Sequence, residues 1–214
     1  IVYDLDESSY MPASFSSEKI GFSLDFPFSI PFKRTYVSLK YSLESQYYNP
    51  DFLEFDLEIE NYYIKIRKKI LKHYNISISY MQSYADNISY MNGLLSTSDK
   101  DRSYNQERFS MAFSIQKISL FNQKISTGIY SNFESRNFSS NIEDDKLHYK
   151  RSHQDISINY WIKRHLSDYI DIKLKSVHRT RNTSSEEEYV SDLKSFTKSE
   201  IWLSLILKME LNVY

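Results

Sequence analysis

Apolar and polar residues alternate one for one along most of this chain, and that period decides its secondary structure. Ile201, Leu203, Leu205, Leu207, Met209, Leu211 and Val213 form one row; Trp202, Ser204, Ile206, Lys208, Glu210, Asn212 and Tyr214 form the other. A helix would scatter the first row round its cylinder, whereas a strand gathers it on one face. The same grammar runs through Ile20, Phe22, Leu24, Phe26 and Phe28, through Val37, Leu39, Tyr41 and Leu43, and through Leu53, Phe55, Leu57 and Ile59. Further strands are predicted at 76–84, 109–115, 125–133, 156–162 and 170–174, with a stub at Ile1, Tyr3 and Leu5. That makes about ten strands (8–12) and no helix. The basic stretch 64–73 reads as a strand end plus a turn.

The connections carry a second signal. Their lengths run roughly 12, 5, 5, 7, 21, 7, 17, 6 and 19 residues. Every second gap is short, and most of the others are long and rich in Ser, Asn, Asp and Glu, as in 86–106, 134–150 and 179–197. In an up-and-down antiparallel meander, odd and even connections lie at opposite ends. One end then carries tight turns and the other long polar loops.

Composition removes whole classes of function. With 27 Lys and Arg against 28 Asp and Glu, the formal charge of −1 lacks the basic excess of a nucleic-acid binder. The absence of Cys removes disulfide scaffolds, thiolate metal sites and cysteine nucleophiles. Only 3 Gly leave no glycine-rich phosphate loop. No run of 18 apolar residues offers a membrane-spanning helix. The five His (His73, His148, His153, His165, His178) are scattered without metal-ligand spacing, so neither metal nor cofactor is expected.

Alternation alone does not say whether the apolar rows face a dry centre or a lipid bilayer. Three features favour lipid. Even strand number, short turns at one end and long loops at the other are the plan of outer-membrane barrels. The polar rows hold charges of both signs that can neutralise one another in an enclosed space: Glu54, Asp56, Glu58 and Glu60 as an acidic wall, with Lys40, Arg108, Lys124, Arg151, Lys173, Lys175 and Lys208 on other strands. Aromatics near strand ends (Tyr36, Tyr47, Tyr63, Tyr74, Tyr84, Phe133, Tyr160, Tyr169) suit the headgroup level. In hydrocarbon every backbone N–H and C=O must pair internally, so such a sheet has to close. The stub at Ile1–Leu5 is expected to pair with 201–214.

On the terminal strand 201–214 with its final aromatic, and on the long-loop, short-turn rhythm over nearly the whole chain, the sequence resembles bacterial outer-membrane β-barrel proteins. The resemblance is one of architecture. It implies that the last strand, with Met209, Leu211 and Tyr214, resembles the signal read by the barrel-assembly machinery, although the glycine common there is missing and the glycine count is low for the class. The loop 181–196 leading into the last strand looks like that of C-terminal barrels attached to larger periplasmic repeat domains. The expectation is a single domain over 1–214, a closed antiparallel up-and-down transmembrane β-barrel in the bacterial outer membrane, with extracellular long loops and periplasmic termini. No signal peptide opens the sequence, and Ile1 begins almost inside a strand, so upstream sequence is expected to precede it.

The expected charge cluster inside the barrel comprises Glu54, Asp56, Glu58, Glu60, Lys40, Arg108, Arg151, Asp155, Lys173, Lys175, Lys208 and Glu210. Eight to ten strands leave an interior that side chains nearly fill, which favours a plug of ion pairs over an open channel. His153, Asp155 and Ser157 share one polar row and bring a hydrolase to mind, but neighbours two apart along a strand stand about 6.6 Å apart, too far for a direct His–Ser hydrogen bond. The acidic loop patches Glu143, Asp144, Asp145 and Glu186, Glu187, Glu188 lack the spacing and glycine of a calcium loop. Asn75, Asn87, Asn137 and Asn182 each begin an Asn-x-Ser triplet, expected by chance at this composition.

The expected role is membrane anchoring and presentation of surface loops, without catalysis or cofactors. Outer-membrane lipid and the assembly machinery are its partners. A small pore lined by the acidic wall, a barrel-borne hydrolase using His153 and a soluble lipophile-binding barrel are the alternatives.

Overall fold

The computed structural model describes residues 15–28, 34–48, 56–71, 73–88, 100–120, 123–167 and 169–207. Nine strands follow one another: β1 (Phe15–Phe28), β2 (Thr35–Tyr48), β3 (Leu57–Lys69), β4 (Tyr74–Asn87), β5 (Tyr104–Leu120), β6 (Gln123–Phe138), β7 (Ser152–His165), β8 (Ile170–Ser184) and β9 (Phe196–Leu207). Each pairs antiparallel with the next, so spatial order equals chain order. A meander of alternating rows is the sheet such a sequence makes, because each hairpin brings like faces together.

The strands connect through 29–34, 70–73, 121–122 and 166–169 at one end, and through 49–56, 88–103, 139–151 and 185–195 at the other. The expected contrast between short-turn and long-loop ends is present. Among the described residues the sheet is open, with β1 and β9 as its edges. The stub at Ile1–Leu5 and the residues 208–214 lie outside the described part. An odd number of described strands puts Phe15 at the long-loop end and Leu207 at the short-turn end.

Cross-strand register assembles two faces. One joins Phe22, Tyr41, Tyr62 and Gln82 in a row, and Leu24, Leu39, Ile64, Tyr80, Phe109, Phe133 and Ile156 in the next. The other joins Ser42, Asn61, Ser83, Gln106, Arg136, His153 and Thr183. Exposure runs opposite to that of a water-soluble core: Ile201 is 77% exposed and Leu203 75%, whereas Ser110 is 5% exposed and Asp155 3%. The polar face is the covered one. A soluble monomer rarely leaves an apolar patch beyond a few hundred Å² in water.

At the long-loop end the pattern inverts. On the polar-face side of β3–β6, Leu57, Ile59, Ala85, Tyr104 and Phe138 pack into a buried apolar cluster. Their neighbours on the opposite face are Glu58, Asp86, Asn105, Glu107 and Asn137, all exposed. This corrects the reading of the third strand. Its phase is set by Tyr62, Ile64 and Ile66, so Leu57 and Ile59 point to the other side from them, while 64–69 ends the strand and 70–73 connects to β4, as expected for that stretch.

Two local devices keep the faces consistent. Between Ile115 and Ile118 the register shifts, so that Gln116 and Lys117 oppose the single Ser126. This β-bulge carries Ile118 back to the apolar face opposite Ile125, and Lys117 takes a left-handed φ of 50° to make it. In the connection 185–195 the chain forms a short helix, α1 (Glu188–Lys194), where none was expected; Val190 is its fully buried anchor. Seven residues are too few for a 3.6-residue period to stand out against the surrounding polar loop.

Candidate functional site

The polar face carries two side-chain centres, one toward each end. In the first, a row crosses four strands: Arg108 of β5, Glu134 of β6, Asp155 of β7 and Arg181 of β8 stand directly opposite one another in turn. The like charges of Glu134 and Asp155 adjoin, and guanidinium groups flank each. Arg108 donates to Glu134 through Nε at 2.9 Å and Nη2 at 2.6 Å, and Arg136 Nη2 approaches it at 3.4 Å. Asp155 accepts from Arg179 Nη2 at 3.0 Å and from Arg181 Nη2 at 2.7 Å. Forked guanidinium–carboxylate pairs are the strong form of such contacts.

Above this row the rings stack. The Arg136 guanidinium lies 4.2 Å from the Tyr104 ring centroid and that of Arg151 lies 3.9 Å from Phe138. Arg151 is buried, its Nε has no hydrogen-bond partner, and burial together with Arg102 and Arg136 lowers its pKa to about 10. The connection 139–151 is fastened over this end by a latch: Asp145 accepts from the Asp101 N–H at 3.0 Å and from His148 Nδ1 at 2.9 Å.

The second centre lies at the short-turn end. His165, the last residue of β7, and Asp171, near the start of β8, face each other across the 166–169 turn. His165 Nδ1 lies 2.7 Å from Asp171 Oδ1, and His165 Nε2 lies 3.0 Å from Ser126 Oγ on β6. The Lys117 N–H at the bulge donates to the same Oγ at 2.9 Å. Because Oγ accepts there, its own proton is directed at Nε2, and Nδ1–H donates to the carboxylate. Lys163 Nζ approaches Asp171 Oδ2 at 3.4 Å. Serine, imidazole and carboxylate thus form one hydrogen-bonded chain, the connectivity by which a hydroxyl is activated as a nucleophile.

The residues singled out from the sequence divide as follows. Lys40, Arg108, Asp155, Lys173 and Lys175 lie on the polar face, and Arg151 enters it from the 139–151 connection. Asp56 is buried just before β3. Glu58 and Glu60 lie on the other face, Glu58 exposed and Glu60 half-buried; Glu60 accepts from Tyr41 at 2.7 Å and Tyr62 at 2.8 Å. Glu54, Lys208 and Glu210 lie outside the described residues. Tyr36 and Tyr63 belong to the polar face, whereas Tyr47, Tyr74, Tyr84, Phe133 and Tyr160 share the apolar one.

His153 does not join Ser157. Its Nδ1 lies 2.8 Å from Thr183 Oγ1, while Asp155 is engaged by the two arginines. The Ser126–His165–Asp171 chain went unseen because 39 residues separate Ser126 from His165, and only strand register brings them together. Of the acidic loop patches, Asp145 is buried in the latch, and Glu186 and Glu187 pair with Lys150 and Lys146. Among the described residues no three His, Asp or Glu are placed to hold a metal ion, and no helix is long and apolar enough to cross a membrane. No protein-family model, curated protein or solved structure matches the chain.

Proposed function

We propose that this chain is a membrane-spanning β-barrel of the bacterial outer membrane. It anchors and presents the connections 49–56, 88–103, 139–151 and 185–195 at the cell surface. One observation carries the reading: the exposed apolar face ends where its phase inverts. Between Glu60 and Lys68 on β3 the outward residues are Tyr62, Ile64 and Ile66. Eight residue steps span about 26 Å along a strand, or about 20 Å once tilted by ~40°, against an apolar band about 25 Å tall in such barrels. Beyond Glu60 polar residues face outward and apolar ones inward, as for strands that have left lipid for water. Tyr41, Tyr62 and Tyr84 sit at that border with Glu60, and their ring-plus-hydroxyl chemistry fits the headgroup level.

Lipid requires closure, because an open edge would leave backbone groups unpaired in hydrocarbon. In this meander β1 and β9 run parallel, so antiparallel closure takes one further strand. The alternation of Ile1, Tyr3 and Leu5 is the sequence's own candidate for it. The arginine–carboxylate rows fill the interior of the barrel, and neutralisation within them favours a plug over a channel. Outer-membrane lipid and the barrel-assembly machinery are the partners of this reading, and an upstream periplasmic domain is compatible with it.

A small pore is the second reading. It is favoured by cavities of about 450 Å³ beside Arg67, Ser77 and Ser114, and about 330 Å³ beside Lys65, Ser79 and Ser110, on the polar face. Large, steady conductance in a planar bilayer selects it over the plug.

The natural absence of Cys makes site-directed spin labelling clean. In liposomes, labels at Ile64, Ile78 and Leu203 are expected to relax with oxygen, whereas labels at Ile59 and Ser110 are not. Labels at Ile64 and Ile78 that respond to a water-soluble nickel reagent, on a protein that stays dispersed without detergent, overturn the membrane reading.

A further inference from the structure

The geometry points to a hydrolytic activity at the short-turn end: we propose that Ser126 is a nucleophile activated by His165 and oriented through Asp171, acting on carboxylic esters that carry a negative charge. Three observations meet there. The donor–acceptor order is coherent from the Lys117 N–H through Ser126 Oγ and both imidazole nitrogens to Asp171, with contacts of 2.9, 3.0 and 2.7 Å. Asp171 is 1% exposed, so the group that fixes the imidazole is shielded from water. The hydroxyl is aimed by a β-bulge whose Lys117 holds a left-handed φ of 50°, a backbone conformation costly for a residue with a side chain and found disproportionately at functional sites.

The surroundings set the substrate class. Lys124 stands opposite His165, Lys163 opposite Ser126, and Lys173 opposite Lys163. Against these cations the only carboxylate in the hydrogen-bonded chain is Asp171, so the centre attracts an anionic acyl group and stabilises developing negative charge on its carbonyl oxygen. Ser126 is itself 3% exposed. Access therefore requires movement of side chains around it; Lys163, directly opposite Ser126, is 27% exposed and lies 3.4 Å from Asp171.

In the reaction Ser126 Oγ bonds to the ester carbonyl carbon while its proton passes to His165 Nε2. The C–O bond to the alcohol then breaks, and the alcohol leaves with that proton. Water attacks the acyl-serine with His165 as base, releasing the carboxylic acid and restoring the hydroxyl.

The activity does not depend on which face meets lipid, so it stands or falls apart from the membrane reading. The test is covalent labelling of the folded full chain with a fluorophosphonate probe. Attack by Ser126 Oγ forms an O–P bond and expels fluoride. Peptide mapping is expected to place the adduct on Ser126. Ser126→Ala and His165→Ala should abolish it, and Asp171→Asn should slow it at least tenfold. A wild-type chain that takes no label, or takes it at another serine, overturns the proposal without reference to any variant. So does labelling that survives His165→Ala in a folded protein, because a merely reactive hydroxyl needs no imidazole.

Discussion

Gly128 lies directly opposite Trp161, and the indole ring occupies the space a β-carbon at position 128 would need: such an atom would stand 2.9 Å from Trp161 Cε2 and 2.9 Å from the Phe113 carbonyl oxygen. Glycine here leaves room for the large ring against the neighbouring strand, and the Phe113 carbonyl, being backbone, cannot retreat without moving β5. Gly128→Val is expected to destabilise the sheet by about 1–3 kcal/mol. Urea unfolding of refolded protein in detergent, followed by tryptophan fluorescence, checks this; an unchanged midpoint would mean that the ring rearranges freely.

Asp155 is buried between two arginines, so removing it leaves guanidinium groups without their counter-charge. Asp155→Ala should cost about 3–5 kcal/mol, while the triple change Asp155→Ala, Arg179→Met, Arg181→Met should recover most of that loss. Failure of the triple variant to recover stability would show that the carboxylate matters for something other than pairing.

Arg151 presents the opposite case. It is a buried cation whose pKa stands at about 10, below the ordinary arginine value, with burial as the largest cause and Arg102 and Arg136 adding to it. A base held low in the folded state disfavours folding at neutral pH, where it must still carry its proton. Arg151→Met keeps the contact with Phe138 and removes the charge, and should raise the unfolding midpoint by an amount equivalent to about 1–4 kcal/mol. A lowered midpoint would assign the guanidinium a stabilising partner.

The Asp145–His148 latch predicts acid sensitivity of the 139–151 connection. Burial holds the His148 imidazole below its usual value, against the pull of Asp145. Burial pushes Asp145 upward, but the His148 hydrogen bond, its charge and the backbone N–H of Asp101 outweigh it, and the carboxyl stays below the usual range. Both groups are thus lowered on folding. The contribution of His148 is full above the ordinary imidazole value of about 6.5 and is lost as pH falls through its folded value; that of Asp145 persists to below about 3.9. Nuclear magnetic resonance of the His148 ring should give a midpoint below about 6.5, with amide protection at Asp101 falling over the same range. A midpoint at or above the ordinary value would sink this account.

Much of the fold is legible in the residues because alternation is a local property. Ile201, Leu203, Leu205 and Leu207 lie on one face of β9 as read, and the contrast between turns and loops survives intact. Glu58 and Glu60 leave the polar face for a physical reason: they alternate with apolar residues as well as Ser38 and Lys40 do, but along β3 the apolar positions pass from Leu57 and Ile59 to Tyr62, Ile64 and Ile66 on the opposite face, which the two glutamates share. Alternation gives the period of a strand, whereas its phase belongs to the surroundings. Asp155 and Arg108 could be named singly from the sequence; their flanking by Arg181 and Glu134 could not.

By itself the sequence determined that the chain forms strands, that successive strands pair as hairpins, and which connections are long. Those properties follow from backbone geometry and chain proximity. Only the tertiary structure decided which rows are covered, where β3 reverses its sides, and that Ser126, His165 and Asp171 meet. Such outcomes depend on the register between distant strands, and a shift of one residue would send each of those side chains to the opposite face.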